Sequence, residues 1–161
     1  MRACLLSLLL IAGTPAFAQT HDHSHDDHVA EAEGLRVIHV WTPATAKGAD
    51  ALFYMEIENS SAAEVKLTGG EAGGQELELV GFTYGAAGEA WTVLPGLPIP
   101  AGGEVDLEPK VLALRWSSIP ADLEPGAELE IEVELGGQHL HAHVEIGAAG
   151  ATGHSHAGHN H

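Results

Sequence analysis

The stretch "ELEIEVELGGQHLHAHVEIG", Glu128 to Gly147, decides the fold class. From Glu128 to Leu135 glutamate and an apolar residue alternate, so Leu129, Ile131, Val133 and Leu135 share one face. A period of two marks a β-strand with one face buried. After Gly136-Gly137 the alternation resumes. Leu140, Ala142, Val144 and Ile146 take the apolar face, and His139, His141, His143 and Glu145 take the other. The paired glycines read as a two-residue hairpin turn, which needs positive φ. That turn sets Leu135 opposite Gln138, Glu134 opposite His139, Glu132 opposite His141 and Glu130 opposite His143. A comb of histidines thus faces a comb of glutamates, with opposed Cβ atoms about 4.5–5.5 Å apart.

The same pattern extends upstream. Runs such as "LRVIHVW", "ALFYMEIEN", "AEVKLTG", "QELELVGFTY", "AWTVL", "EVDLE" and "KVLALRW" are separated by turns such as "GEAGG" and "LPGLPIPAGG". No segment carries a sustained helical period, although "PATAKGADA" has room for one helical turn. Short strands at this spacing predict an all-β, Greek-key β-sandwich over residues 35–146.

The two ends differ from this domain. Residues 1–18 hold Arg2, an apolar run and the small-residue pattern Ala16-Phe17-Ala18, which predicts a secretory signal peptide cut after Ala18. The run is too short to span a bilayer, and no second candidate follows, so no membrane span is expected. Cys4 is the one cysteine and lies inside the segment expected to be removed, too early for a lipidated cysteine at the cut. No disulfide and no thiolate ligand remain. Residues 19–34 and 147–161 are polar or Gly/Ala-rich and read as disordered tails.

Those tails are rich in histidine. His21, His23, His25 and His28 stand among Asp22, Asp26 and Asp27, and His154, His156, His159 and His161 close the chain. Imidazole and carboxylate at this density suit Cu²⁺, Zn²⁺ or Ni²⁺ and lack the sulfur that selects Cu⁺. If Gln19 becomes the N-terminus, His21 stands third, which suits a square-planar Cu²⁺ or Ni²⁺ site. The 23 acidic residues against six basic ones, a net charge of −17, exclude nucleic acid as a natural partner and favour cations. His139, His141 and His143 admit two readings, as solvent-side ion pairs or as ligands sharing an ion with the opposed glutamates. His39, alone in its strand, is expected to be packed or hydrogen-bonded, and Met55 to be part of the core.

The central region resembles the PCu(A)C family of periplasmic copper chaperones. The matching pieces are "VWTPATAKGADALFYMEIEN", "LPGLPIPAGGEVDLEP" and "IPADLEPGAELEIEVEL", which cover about Val40 to Leu135 in the family's order. The resemblance implies a cupredoxin-like sandwich. It also implies His and Met ligands at positions that here hold Val80, Trp91, Val111 and Ala113, all apolar.

The sequence therefore leads to the expectation of a periplasmic metal-binding protein, not an enzyme: no acid–base pair, nucleophile triad or phosphate loop is assembled. Copper, as Cu²⁺, is the favoured ion and zinc the second, with a periplasmic metal-accepting protein as recipient. The ligands expected are the histidines of both tails together with His139, His141 and His143. Zinc buffering, or a structural or assembly module with incidental tails, are the alternatives.

Overall fold

In the computed structural model, which describes residues 28–153, the hairpin forms in the expected register. Strand β10, Glu130–Leu135, pairs antiparallel with β11, Gln138–His143, and every opposed pair runs from Leu135↔Gln138 to Glu130↔His143. Gly136 and Gly137 take φ of 62° and 80°, the left-handed values a tight hairpin requires. Leu140, Ala142, Val144 and Ile146 are buried.

Twelve strands and no helix make up the described residues. The first nine are β1 Val29–Ala32, β2 Leu35–Pro43, β3 Ala51–Asn59, β4 Val65–Ala72, β5 Gln75–Gly85, β6 Gly88–Val93, β7 Leu97–Ile99, β8 Gly103–Leu107 and β9 Leu112–Trp116. β12, Glu145–Gly147, follows the hairpin. The main path of pairing is β1-β2-β3-β9-β5-β4-β10-β11, and β11 returns beside β1 and β2, so the sheet nearly closes on itself. Val144 is the corner: its N–H donates to the Leu129 carbonyl, and beyond it β12 leaves β10 to run parallel to β2 at Trp41–Pro43. The all-β sandwich expected from the alternation is the fold observed.

The interior is filled by the apolar members of the alternating runs, among them Phe53, Ile57, Leu67, Leu79, Leu114 and Ile131. Each such side chain contributes about 1.5–3 kcal/mol by leaving water. Met55 belongs to this core, as its strand alternation implies.

One buried polar side chain ties distant motifs together. Asn59, at the end of β3, donates through Nδ2 to the carbonyls of Ala63, Ile99 and Pro100 at 2.8–3.0 Å. Its Oδ1 accepts from the Ser61 N–H and hydroxyl. The end of "YMEIEN" is thus pinned to "LPIPAGG", two of the pieces that carry the family resemblance.

The sheet begins earlier than residue 35. β1 lies inside the stretch 19–34 read as a disordered tail and pairs with β2 from Val29↔Ile38 to Ala32↔Leu35. Its four residues, "VAEA", are too few to show a period. The turn that makes it a hairpin, Glu33-Gly34 at φ 51° and 80°, has its first position filled by glutamate instead of a usual turn residue. "PATAKGADA" forms no helix; a bridge from Thr45 to Leu123 and turns occupy it.

Candidate metal centre

The predicted comb exists but is not uniform. His139 passes over Glu134, directly opposite, and places Nδ1 2.6 Å from Oε1 of the diagonal Glu132. His141 sits with Nε2 3.5 Å from the other oxygen of Glu132 and Nδ1 3.3 Å from Glu130. One carboxylate therefore lies between two imidazoles. With His139 57 % and Glu132 29 % exposed, water screens these pairs, each worth about 0–1 kcal/mol.

His143 stands apart from the other two. It lines a cleft of about 240 Å³ with His28, Gly126 and Glu145. Among the described residues no three His, Cys, Asp or Glu side chains are gathered tightly enough to hold one ion. The comb is thus two imidazoles about a carboxylate, plus a third on a cleft that His28 also lines.

His28 also reaches His39. The His39 N–H donates to the His28 carbonyl at 2.8 Å, extending the β1–β2 ladder, and the two rings lie 5.8 Å apart. His39 is the extra residue of a β-bulge. Ile38 opposes Glu56 and Trp41 opposes Tyr54, so three steps on β2 match two on β3. His39 takes the strain of that mismatch at φ 51°, a left-handed conformation that costs a non-glycine residue about 1–2 kcal/mol. The sequence carried a trace of this. Of the β2 side chains in the main core, Leu35 and Val37 are odd and the next, Val40, is even, a parity change that marks an inserted residue.

A cleft of about 130 Å³ opens at the bulge, lined by His39, Trp41, Met55 and the acids Glu56, Asp106 and Glu108. Glu56 faces Asp106 directly across β3 and β8, and the next pair on that face is Glu58 with Glu104. Burial pushes the Glu56 carboxyl above its ordinary value, and repulsion from Asp106, Glu58 and Glu104 adds to the rise, against the pull of Arg36. A neighbouring wider cleft joins Trp41, Leu107 and Glu108 to Lys110, Thr152 and Gly153.

The positions where the resemblance would put ligands hold apolar packing. Val80 and Ala113 are fully buried and share a small cluster with Trp41 and Tyr54, whose rings lie 4.8 Å apart. Trp91 packs edge-on to Phe82 at 5.3 Å, and Val111 is exposed. His21, His23, His25, His154, His156, His159 and His161 lie outside the described residues, as does the segment 1–18.

Comparison with known proteins places this geometry. No curated protein matches the chain. Among solved structures, the apo PCuAC domain from PmoF1 superposes with a TM-score of 0.62 at 23 % identity, covering 75 % of this chain and 99 % of that one. The apo PCuAC domain of PmoF2 gives a TM-score of 0.62 at 16 % identity over 78 % of this chain and 98 % of that one. The copper-bound PCuAC domain from PmoF2 gives 0.58 at 16 % identity over 77 % and 99 %. The sandwich is therefore the PCuAC fold. The sequence model of the LpqE-like lipoprotein family matches residues 35–146, the whole sandwich except its first strand, and this chain belongs to the LpqE-like family.

Proposed function

We propose that this protein is an exported copper-binding carrier that holds Cu²⁺ through histidine. The observation that carries the reading is the fold, which this chain shares with a copper-bound PCuAC domain. Membership of a family described as lipoproteins supports export.

Histidine enters because sulfur has left. Met55 is the one methionine after Met1 and is buried in the core, and Val80 and Ala113 fill the interior where the resemblance would place ligands. Twelve histidines and 23 acids remain as donors. Imidazole and carboxylate favour Cu²⁺ over Cu⁺. In this reading the runs around His21–His28 and His154–His161 capture the ion, the β11 histidines hold it or pass it on, and a periplasmic acceptor receives it. Zinc is the second reading, supported by the same donor set.

Calorimetric titration of the full mature chain with Cu²⁺, Zn²⁺ and Ni²⁺ tests the proposal. Micromolar or tighter binding of Cu²⁺, with weaker binding of the others, is expected. Preference for Zn²⁺ would move the assignment to zinc buffering, and no binding of any ion would end it.

A further inference from the structure

The bulge in β2 raises a question that the β11 histidines do not answer. A left-handed residue at the first position of a bulge is ordinarily glycine, which takes that conformation freely. Here it is His39, strained at φ 51° and half-buried, with its ring 5.8 Å from that of His28. Strain held at a chemically capable side chain points to a role that glycine would not serve.

The spacing of the two rings fits one such role. Two imidazoles bound to one divalent ion, at metal–nitrogen distances of about 2.0–2.1 Å, hold their ring centres about 5–6 Å apart. The surroundings suit a cation as well. The cleft beside His39 is lined by Glu56, Asp106 and Glu108, and Glu56 directly opposes Asp106, a like-charge pair that a cation would relieve. Its volume of about 130 Å³ leaves room for water on the His39 side to complete the coordination, while His28 lines the separate cleft of Gly126, His143 and Glu145.

The location adds an independent reason. His28 ends the run "HDHSHDDH", and Gly153, which precedes His154, lines a cleft that shares Trp41, Leu107 and Glu108 with the cleft of His39. Both histidine-rich runs therefore join the domain beside this bulge.

We propose that His28 and His39 form a divalent-metal site of the folded domain, at the β2 bulge and separate from the glutamate-paired His139 and His141. It rests on the reading of the chain as a metal binder and gives that reading a fixed position. Zn²⁺, which is redox-silent, is the probe.

The test uses the melting temperature of the full mature chain with and without Zn²⁺. Ligands adjacent in sequence, such as His21, His23 and His25, remain adjacent in the unfolded chain and shift the midpoint little. A site assembled from two strands exists only in the fold, and its occupation raises the midpoint by on the order of 10 °C at a hundredfold excess over Kd. The parent is expected to show this rise. His39→Gly should abolish it while keeping or raising the metal-free midpoint, since glycine relieves the strain. In a His139→Gln, His141→Gln background, His39→Gly should still remove the same part of the rise. If His39→Gly lowers the metal-free midpoint, the exposed His28→Asn replaces it, and loss of the rise is again expected. A rise that survives both His39→Gly and His28→Asn, or a parent without a rise, overturns the site. Calorimetric binding without any rise would sink this site alone and leave the proposed function standing.

Discussion

His139 pairs with Glu132 and not with Glu134, the residue directly across from it: Nδ1 to Oε1 is 2.6 Å along the diagonal. The diagonal places one carboxylate between His139 and His141, so both imidazoles compete for the same acceptor. Both histidines are well exposed, and exposed pairs of this kind contribute little. Glu132→Gln should change the free energy of unfolding by less than about 1 kcal/mol in urea titration at neutral pH. A larger loss would show that the comb stabilises the sheet, and a role as available metal donors would then weaken.

Asn59 predicts the opposite size of effect. Its side chain satisfies three carbonyls and accepts from Ser61 within a buried corner. Asn59→Ala leaves those groups without partners and should cost about 1–3 kcal/mol, visible as a lower urea midpoint with an unchanged slope. Metal affinity in the histidine runs should not change.

Gly70 marks a close approach of β4 to β10. A Cβ built there would stand 2.1 Å from the Glu132 carbonyl oxygen, a backbone atom that cannot swing aside. Gly70→Ala should therefore push the strands apart and destabilise by about 1–3 kcal/mol. Because β10 carries the glutamates opposite β11, the His139–Glu132 contact should loosen in the same variant, seen as altered imidazole chemical shifts.

Glu56 gives a pH signature. Its carboxyl is held above the ordinary 4.5, first by burial and then by Asp106, Glu58 and Glu104. The folded state therefore holds the proton more firmly than the unfolded one, and stability falls as pH rises from the ordinary carboxylate range toward neutrality. Glu56→Gln removes that penalty. It should stabilise the chain at pH 7 by a few tenths to about 1 kcal/mol, as expected for relief of an opposed like-charge pair. The gain should vanish below about pH 4, where parent and variant both carry a neutral side chain.

Much of this architecture was legible in the residues. Strict alternation about Gly136-Gly137 fixed the β10–β11 register to the residue, because a period of two leaves no other face for Ile131 or Leu140. The "LPIPAGG" and "YMEIEN" pieces pointed to one fold, and Asn59 supplies the physical link between them. The bulge was less visible, since one inserted residue only shifts the parity of a short apolar run, and His39 passed for an ordinary strand residue. The meeting of His28 with His39 needed β1, whose four residues and glutamate-first turn give no usable period. The splitting of the comb was not legible either. Register fixes which residues oppose one another, but side-chain rotamers decide that His139 reaches the diagonal and that His143 lines the cleft with His28.

The central claim, that histidine nitrogen binds Cu²⁺ in this protein, is tested most directly by equilibrium dialysis of the full mature chain against micromolar Cu²⁺ at pH 7.5 and pH 5. Imidazole gives up metal to protons as pH falls through about 6.5, so copper should be retained at pH 7.5 and released at pH 5. Failure to retain copper at pH 7.5, or equal retention at both values, would contradict it.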